Sequence, residues 1–389
     1  MKDKLNTFID HLYPEAISWR RHLHRNPEPG FREFETTRWI TEKLREWGYE
    51  VHHPCETGCV AVLKGDRPSD RVLALRADID ALPIEEEGEA KKEFLSENKG
   101  VAHCCGHDLH TSNLLGTARL ISGLKPEVPG TVVLIFQAAE EVLPGGGKLL
   151  VETGFLQKLG IQHIYGLHTY PYLEPGRIAT REGPLMASTS EFHMDIHGKG
   201  GHAAAPHQAV DPIVIAAGIV QQLQTIISRS IDPTEAAVVT VGKIQGGTAP
   251  NIIPEKVMLE GTIRTFDEEQ TRHIFERISG IGKHTAAAAG GSAESRLITG
   301  YPPVINNPET TRNLFETADE VTVELRKPVM AGEDFSFYQK EFPGTFFFLG
   351  SGSEEADSLY GWHHPKYNVD ERCLKTGMTV MASLVLKEE

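Results

Sequence analysis

A stretch of eight residues, His103 to His110, combines three histidines, two cysteines and an aspartate in the order HCCGHDLH. Cys105 and His107 stand two residues apart, a spacing at which two side chains of a loop or extended turn can bind one ion from the same side. Thiolate, imidazole and carboxylate groups together favour zinc, with manganese, cobalt or nickel as substitutes. The alternative is that these cysteines and histidines are buried core residues. Because Gly106 and the clustering favour close approach to a ligand, the stretch predicts a metal site.

An acidic pair, Glu140-Glu141, follows the next long apolar run, TVVLIFQAA. Two adjacent carboxylates at a strand end can divide two tasks, one binding a metal ion and the other accepting a proton from water. The alternative is an ordinary solvated strand end. Because the metal motif is present in the same chain, we favour the functional interpretation.

The neighbouring strands indicate how these residues come together. RVLALRADID is almost entirely apolar up to its carboxyl end, which is typical of a buried parallel strand, so Asp78 and Asp80 are expected where it leaves the sheet. TVVLIFQAAEE brings Glu140 and Glu141 to a strand end, and IYGLHTY brings His168 to another. The carboxyl edge of the strands is the usual place for a site in an open α/β fold.

Helical patterns alternate with these strands. We predict helices over residues 4–25, Phe34 to Trp47 and Ser112 to Leu124. Buried strands that alternate with helices imply an α/β fold, in which a doubly wound, mostly parallel sheet carries helices on both faces. We expect this part of the chain to be the catalytic domain.

The pattern changes after Pro184. The order becomes strand, helix, two strands, helix and strand, as expected for a self-contained α+β open-faced sandwich. We place this inserted lid or dimerisation domain at residues 187–298. The catalytic domain is then discontinuous, with residues 1–186 and 299–389.

The composition limits the class of protein. A chain of 389 residues is too long for one ordinary core, so two domains are expected. A formal charge of -15 argues against nucleic acid or an acidic membrane surface as a partner. The longest apolar runs are too short to span a bilayer. Five cysteines, two of them adjacent in the metal motif, favour a reducing compartment, and we expect the protein to be cytoplasmic.

A set of motifs spans nearly the whole chain: RRHLHRNPEPGFRE, RADIDALPI, HCCGHDLH, QAAEE, GLH, GKGGHAAAPH, DPI, GGTAPNIIP, GTIRTF, AGEDF and HHPKYNVDE. In this order they resemble the hippurate hydrolase and N-acyl-amino-acid amidohydrolase branch of the aminoacylase and zinc carboxypeptidase family. The resemblance implies two divalent metal ions per subunit and the following ligands: Cys105, His107, Glu141, His168 and His363.

The same resemblance implies roles for the residues next to the ligands. It implies Glu140 as the general base and Asp78 as the carboxylate that orients a ligand imidazole. Other branches have a metal-binding histidine where this chain has Arg76, and here Cys105 joins the ligand set instead. We choose His363 rather than His364 as a ligand because the family's ligand stands two residues before the proline.

Three residues of the inserted domain complete the predicted site. The resemblance implies that His202 stabilises the tetrahedral oxyanion and that Asn251 and Arg264 hold the substrate carboxylate, a task that suits a bidentate arginine. A turn histidine without a role and a surface arginine are the alternatives. Three cysteines and three histidines receive no function from the motifs. The cysteines Cys55, Cys59 and Cys373 are left unassigned, and the histidines His22, His24 and His110 are interpreted as structural.

These features predict a metal-dependent amidohydrolase that cleaves the amide of an N-acyl amino acid to give a carboxylic acid and a free amino acid. A dipeptidase or carboxypeptidase on the same fold is one alternative. A catalytically silent metal-binding relative is another, and the intact Glu140 and ligand set argue against it. We also expect a homodimer through the inserted domain, in which His202 acts either in its own chain or in the partner's active site.

Overall fold

The computed structural model describes residues 2–387, and the chain divides into two compact units. Unit 1 is discontinuous, whereas nearly all of unit 2 is one stretch of chain. Unit 1 consists of the residues up to Leu185, Ile305–Pro328 and the residues from Asp334 onward, and unit 2 consists of Met186–Val304 and Val329–Glu333.

Helices and strands alternate along most of the chain. The α-helices are α1 (Lys2–Arg25), α2 (Phe34–Glu46), α3 (His107–Gly123), α4 (Gly146–Glu152), α5 (Phe155–Lys158), α6 (Pro212–Ser230), α7 (Glu268–Ala288), α8 (Pro308–Thr317), α9 (Ser336–Gln339) and α10 (Cys373–Leu386). The strands are β1 (Glu50–His52), β2 (Cys59–Lys64), β3 (Arg67–Asp78), β4 (Pro129–Gln137), β5 (His163–Tyr170), β6 (Ile178–Thr180), β7 (Gly183–Met186), β8 (Ser190–His197), β9 (Gly201–His202), β10 (Val238–Gly246), β11 (Ile252–Ile253), β12 (Lys256–Arg264), β13 (Ser292–Thr299), β14 (Val304–Asn306), β15 (Thr322–Glu324) and β16 (Gly344–Gly350).

Unit 1 is built on an eight-stranded sheet in the order β1-β2-β4-β3-β5-β16-β6-β15. The four central strands, β4, β3, β5 and β16, are parallel, and antiparallel pairings occur toward the two edges. The register places Asp78 beside Gln137 and His168 beside Phe348. The predicted α/β fold with a mostly parallel sheet is therefore confirmed, and its central strands all have their carboxyl ends at the same edge.

The core of unit 1 explains why these segments adopt this fold. Every residue of β16 is buried, as expected for a central parallel strand covered on both faces. Helix α1 packs on α3 and α10 through residues at helical spacing, of which Ile9, Leu12 and Ala16 are fully buried. Burying an aliphatic side chain of the size of leucine contributes about 1.5–3 kcal/mol. This packing fixes the position of α3, the helix that begins inside the metal motif.

The start of α3 differs from the prediction. We expected the helix to begin at Ser112, whereas it begins at His107, immediately after Gly106 in the left-handed conformation with φ +96°. A Cβ atom at Gly106 would lie 2.4 Å from Thr169 Oγ1, so only glycine fits there. The polar residues of the first helical turn are buried, and for that reason they lack the amphipathic pattern that reveals a helix in a sequence.

Unit 2 contains a four-stranded antiparallel sheet in the order β10-β12-β8-β13. Burial alternates along β8, and the buried positions form one core with α6 and α7. The side chains of Asp211 and Asp267 cap the two helices by accepting hydrogen bonds from Ile213 N at 2.9 Å and Gln270 N at 2.7 Å. The predicted open-faced order of strands and helices is present.

Helix length and hydropathy indicate whether a helix could cross a membrane. Over residues 2–387, no helix has both the length and the apolar character that crossing a bilayer requires.

Candidate metal centre

The predicted ligands of unit 1 meet at the carboxyl edge of the central strands. The ligand atoms of Cys105, His107 and His168 lie within 4.8 Å of one another. The same limit holds for the group of Cys105, Glu141 and His363. These two overlapping groups share the Cys105 thiol, so five side chains from four separate parts of the chain form one cluster.

His168 and Cys105 form one buried side of the cluster. His168 lies in β5, and its Nδ1 donates a hydrogen bond to the carbonyl of Thr169 at 2.8 Å. This leaves Nε2 facing Cys105 Sγ at 3.4 Å. Burial, with His110 nearby, holds the pKa of His168 well below its usual value. The imidazole is therefore neutral, the form in which histidine binds metal ions.

His107 presents a nitrogen, Nε2, that lacks a hydrogen-bond partner among the described residues and has the more distant carboxylates of Asp78 and Glu141, at 3.8 and 3.9 Å, near it. Its Nδ1 contacts the carbonyl oxygen of Asp80 at 3.0 Å and the carboxylate Oδ1 of Asp80 at 3.1 Å. Its Nε2 is fully buried and has no hydrogen-bond partner in the part of the chain that the structure describes. An unsatisfied buried polar atom costs about 1–3 kcal/mol. Coordination to a metal ion would satisfy this nitrogen, so the residues present fit a metal centre.

The charges around the cluster favour a bound cation. Burial by itself lowers the pKa of His107, but Asp78, Asp80 and Glu141 outweigh it and raise the pKa to about 10. Burial and the neighbouring Glu141 and Glu140 carboxylates raise the pKa of the Cys105 thiol well above its usual value. A positive ion at this position would stabilise both the carboxylates and a Cys105 thiolate.

Glu141 and His363 close the more exposed side of the cluster. Glu141 N donates to Asp80 Oδ2 at 3.0 Å, and Glu141 Oε1 lies 3.1 Å from His363 Nε2. His363 has an unusual positive φ of 64° and its amide donates to Cys104 O at 2.8 Å. The adjacent His364 instead stacks on the ring of Tyr360. The structure thus places His363, rather than His364, beside Glu141.

Glu140 is buried in a short turn beyond β4. Its side chain groups with those of His107 and Glu141, with ligand atoms within 4.8 Å of one another. The preceding residue, Ala139, has φ +51°, and its amide donates to Glu33 Oε1 at 2.7 Å. Burial, with Asp80 nearby, raises the pKa of Glu33 to about 7. Glu33 had no predicted role, although it lies in the motif RRHLHRNPEPGFRE.

Asp78 and Asp80 both lie beside the imidazole of His107, at different distances. The resemblance implies that Asp78 orients a ligand imidazole. In the structure Asp80 Oδ1 lies 3.1 Å from His107 Nδ1, whereas Asp78 Oδ2 lies 3.8 Å from His107 Nε2. Asp78 Oδ1 lies 2.6 Å from His110 Nδ1, and Asp78 Oδ2 accepts from Arg76 Nη1 at 2.7 Å. Burial by itself raises the pKa of Asp78, but His107, His110 and Arg76 together hold it well below its usual value. Two acids two residues apart on an extended chain point to the same side, so spacing could not distinguish them.

The other predicted site residues lie in unit 2. His202 is exposed in β9, which pairs with β11, and its Nδ1 accepts from Ala204 N at 3.0 Å. The carbonyl of Asn251 accepts from Ala203 N at 3.1 Å, so Asn251 lies close to His202, which precedes Ala203 in the chain. Arg264 ends β12, half-buried, and its Nη1 donates to Ile263 O at 3.1 Å. Within unit 1, the predicted metal ligands and Glu140 come together.

Comparisons with known proteins agree with the resemblance seen in the motifs. An N-acyl-L-amino acid amidohydrolase of Geobacillus stearothermophilus is 43% identical over 309 residues, which are 79% of this chain and 82% of that protein. Thermostable carboxypeptidase 2 of Saccharolobus solfataricus is 37% identical over 390 residues, which are 99% of this chain and 98% of that protein. The crystal structure of a dinuclear metal-binding peptidase of family M20 from Bacillus subtilis has a TM-score of 0.84 and 35% identity, covering 97% of this chain and 98% of that one.

A family model gives the assignment. Residues 74–387 match the model of peptidase family M20/M25/M40. The matched region contains all the predicted metal ligands. The chain belongs to peptidase family M20/M25/M40.

Proposed function

We propose that the protein is a metal-dependent amidohydrolase that cleaves the amide bond of N-acyl amino acids, releasing a carboxylic acid and a free amino acid. The observation that carries the proposal is the cluster in which the buried Nε2 of His107, which has no hydrogen-bond partner within residues 2–387, lies among candidate ligands, with the Glu140 carboxylate beside it. Relatives named as amidohydrolases and deacetylases of N-acyl amino acids support this substrate class.

The cluster would hold two divalent ions per subunit, chosen from zinc, manganese, cobalt and nickel. Five ligands fit hard or borderline divalent ions: Cys105, His107, Glu141, His168 and His363. A dinuclear relative of similar fold supports the number two. When bound, such ions lower the pKa of a water molecule and polarise a carbonyl group.

Glu140 would act as the general base. It accepts a proton from the attacking water and delivers it to the nitrogen of the departing amino acid, which leaves as a neutral amine. Its carboxylate is buried beside Glu141 and His107, within reach of a water molecule at the cluster. In this division of tasks Glu141 binds metal and Glu140 moves protons.

Three residues of unit 2 carry further proposed roles. We propose that His202 stabilises the oxyanion that forms on the former amide oxygen, and that Asn251 and Arg264 bind the substrate carboxylate. Strand β10 lies at an edge of the unit 2 sheet, which supports a homodimer formed through the inserted domain at residues 187–298. In such a dimer His202 acts in its own chain or in its partner's site. Light scattering on the purified protein should give the mass of two chains.

A screen of substrates tests the proposal. The metal-loaded protein is offered acetyl, benzoyl and aminobenzoyl amino acids together with dipeptides, and release of free amino acid is measured. A carboxypeptidase is the second candidate, because one relative 37% identical to this chain bears that name. Preference for dipeptides would favour it, and no turnover of either class by the metal-loaded protein would favour a catalytically silent relative.

The cysteines support a proposal for the cellular setting. All five cysteines are free thiols and four of them are buried, which suits a reducing compartment, and we place the protein in the cytoplasm. With a formal charge of -15, small N-acyl amino acids are better candidates for its ligands than nucleic acid.

A further inference from the structure

His110 lies one turn beyond His107 on α3, and both of its ring nitrogens are engaged. Its Nε2 accepts a hydrogen bond from the backbone amide of Thr169 at 2.9 Å, and its Nδ1 lies 2.6 Å from Asp78 Oδ1. Because a backbone amide can only donate, Nε2 must be unprotonated and Nδ1 must carry the proton that it donates to Asp78. Neither nitrogen is left for a metal ion, although His110 lies beside the cluster.

The end of β5 explains why Thr169 needs this partner. Strand β3 pairs with β5 only as far as Arg76 beside Gly166, so the last residues of β5 extend beyond their neighbour on that side. A strand amide left without a partner in a buried place is costly. The imidazole of His110 takes the position of the missing strand carbonyl and satisfies the amide of Thr169.

Thr169 in turn contacts two candidate ligands, His168 and Cys105. Its carbonyl accepts the Nδ1 proton of His168 at 2.8 Å, which aims Nε2 of His168 at Cys105 Sγ. The same carbonyl accepts a hydrogen bond from Trp362 Nε1 at 2.9 Å. The hydroxyl of Thr169 lies 3.2 Å from the carbonyl oxygen of Cys105. Thr169 therefore contacts His168 through its backbone carbonyl and Cys105 through its side-chain hydroxyl.

We propose that His110 is a positioning residue for the metal centre. By holding the amide of Thr169, it restrains the backbone of the residue whose carbonyl orients His168, and with it the distance between His168 Nε2 and Cys105 Sγ. The proposal rests on the proposed function only in that the cluster binds metal ions. It gives His110 a defined task, whereas the sequence indicated only a structural histidine.

A buried ionic chain keeps His110 itself in place. Asp78 accepts from Arg76 Nη1 at 2.7 Å, and Arg76 Nη2 donates to Asp334 Oδ1 at 2.7 Å. All three side chains are fully buried, so the carboxylate that receives the His110 proton cannot rotate freely. Asp78 thus acts on the cluster through His110 and Thr169, in addition to its charge.

Two substitutions separate the two hydrogen bonds of His110. His110→Asn keeps a donor near Nδ1 but loses the acceptor for Thr169, whereas His110→Gln can place its carbonyl oxygen near Nε2 and keep that acceptor. Affinity for Zn²⁺ is measured by competition with a chromophoric chelator, without any substrate. We expect affinity to fall about 10–100-fold in His110→Asn and by less in His110→Gln, the usual effect of losing a partner of a metal ligand. Leu120→Ala, a buried change on the same helix, controls for loss of stability and should keep wild-type affinity.

Turnover gives a second readout. For His110→Asn we expect kcat to fall at limiting Zn²⁺ and to recover at saturating Zn²⁺, with little change in KM. Wild-type affinity in both His110 variants would overturn the proposal. So would a lower number of bound ions at saturating Zn²⁺, because that result makes His110 a ligand. Since the titration uses no substrate, a failure of the proposed amidohydrolase activity would leave its outcome readable.

A measurement on the wild-type protein covers the case in which the variants fail to fold. In protein labelled with ¹⁵N-histidine, the buried Nδ1 proton donated to Asp78 should give a strongly downfield, exchange-protected NMR signal. We expect that signal to persist when Zn²⁺ is added. Its disappearance on addition of Zn²⁺ would contradict the proposed hydrogen bonds of His110.

Discussion

The Asp80 carboxylate contacts Nδ1 of His107 at 3.1 Å, and so directs Nε2 of the same imidazole into the cluster. Its second oxygen, Oδ2, accepts from the amide of Glu141 at 3.0 Å. One carboxylate therefore positions two candidate ligands that come from different parts of the chain. Contacts of this kind commonly set both the tautomer and the affinity of a metal-binding histidine.

Asp80→Asn should weaken metal binding. An amide has one oxygen, so it can accept from either His107 or Glu141 but presents its own N–H groups to the other. We expect about 10–100-fold lower affinity for Zn²⁺ in a chelator competition assay. Asp66→Asn, which changes an exposed aspartate of unit 1, is the matched control and should bind as the wild type does. Equal affinity of the two variants would remove Asp80 from this role.

Glu140 and Glu141 should respond differently to the same change. Glu140→Gln should keep its metal ions but lose roughly 10² to 10⁴ in kcat, the usual worth of positioned proton transfer. Glu141→Gln should lose metal affinity as well, because it removes a charged ligand. Metal content by elemental analysis and kcat for the same preparations separate the two roles. Near-native kcat in Glu140→Gln would show that another group is the base.

Cys105 should be protected by bound metal. Burial and nearby carboxylates raise the pKa of its thiol, so a thiolate at this position requires a cation. At an alkaline pH that ionises the thiol, we expect metal-free protein to be alkylated at Cys105 and metal-loaded protein to be protected, when labelling is mapped by mass spectrometry. The buried Cys373 is an internal control, because it lies outside the cluster. Equal labelling of Cys105 in both states would argue against ligation.

Arg264 should distinguish substrates by their charge. If its guanidinium binds the substrate carboxylate, Arg264→Ala should strongly lower kcat/KM for a free N-acyl amino acid and change it little for the corresponding amide. The comparison is made on both substrates with the same enzyme preparation. An equal loss on both would indicate that Arg264 supports the end of β12 instead.

The strand ends could be predicted because they depend on local patterns. Apolar runs that end in an acidic pair or a histidine were sufficient to place Glu140 and His168 at one edge of a parallel sheet. The motif order was sufficient to identify the family.

The contacts among the supporting residues could not be predicted in the same way. His110 and Thr169 are 59 residues apart, and Glu33 and Ala139 are 106 apart, so no local spacing reveals that they touch. The different contacts of Asp78 and Asp80 could not be predicted for a related reason. Both point to the same side of an extended chain, and only the position of α3 decides which one meets His107. Such tertiary contacts determine how each side chain is oriented, whereas the sequence pattern predicts only which residues lie near the site.

The most direct test of the account measures metal content and turnover in one preparation. The protein is dialysed against a chelator, its metal content is determined by elemental analysis, and hydrolysis of an N-acyl amino acid is followed as Zn²⁺, Mn²⁺, Co²⁺ or Ni²⁺ is added back. The account predicts no turnover in the metal-free protein and recovery of activity as the content approaches two ions per chain. Full activity in protein shown to be metal-free would contradict it.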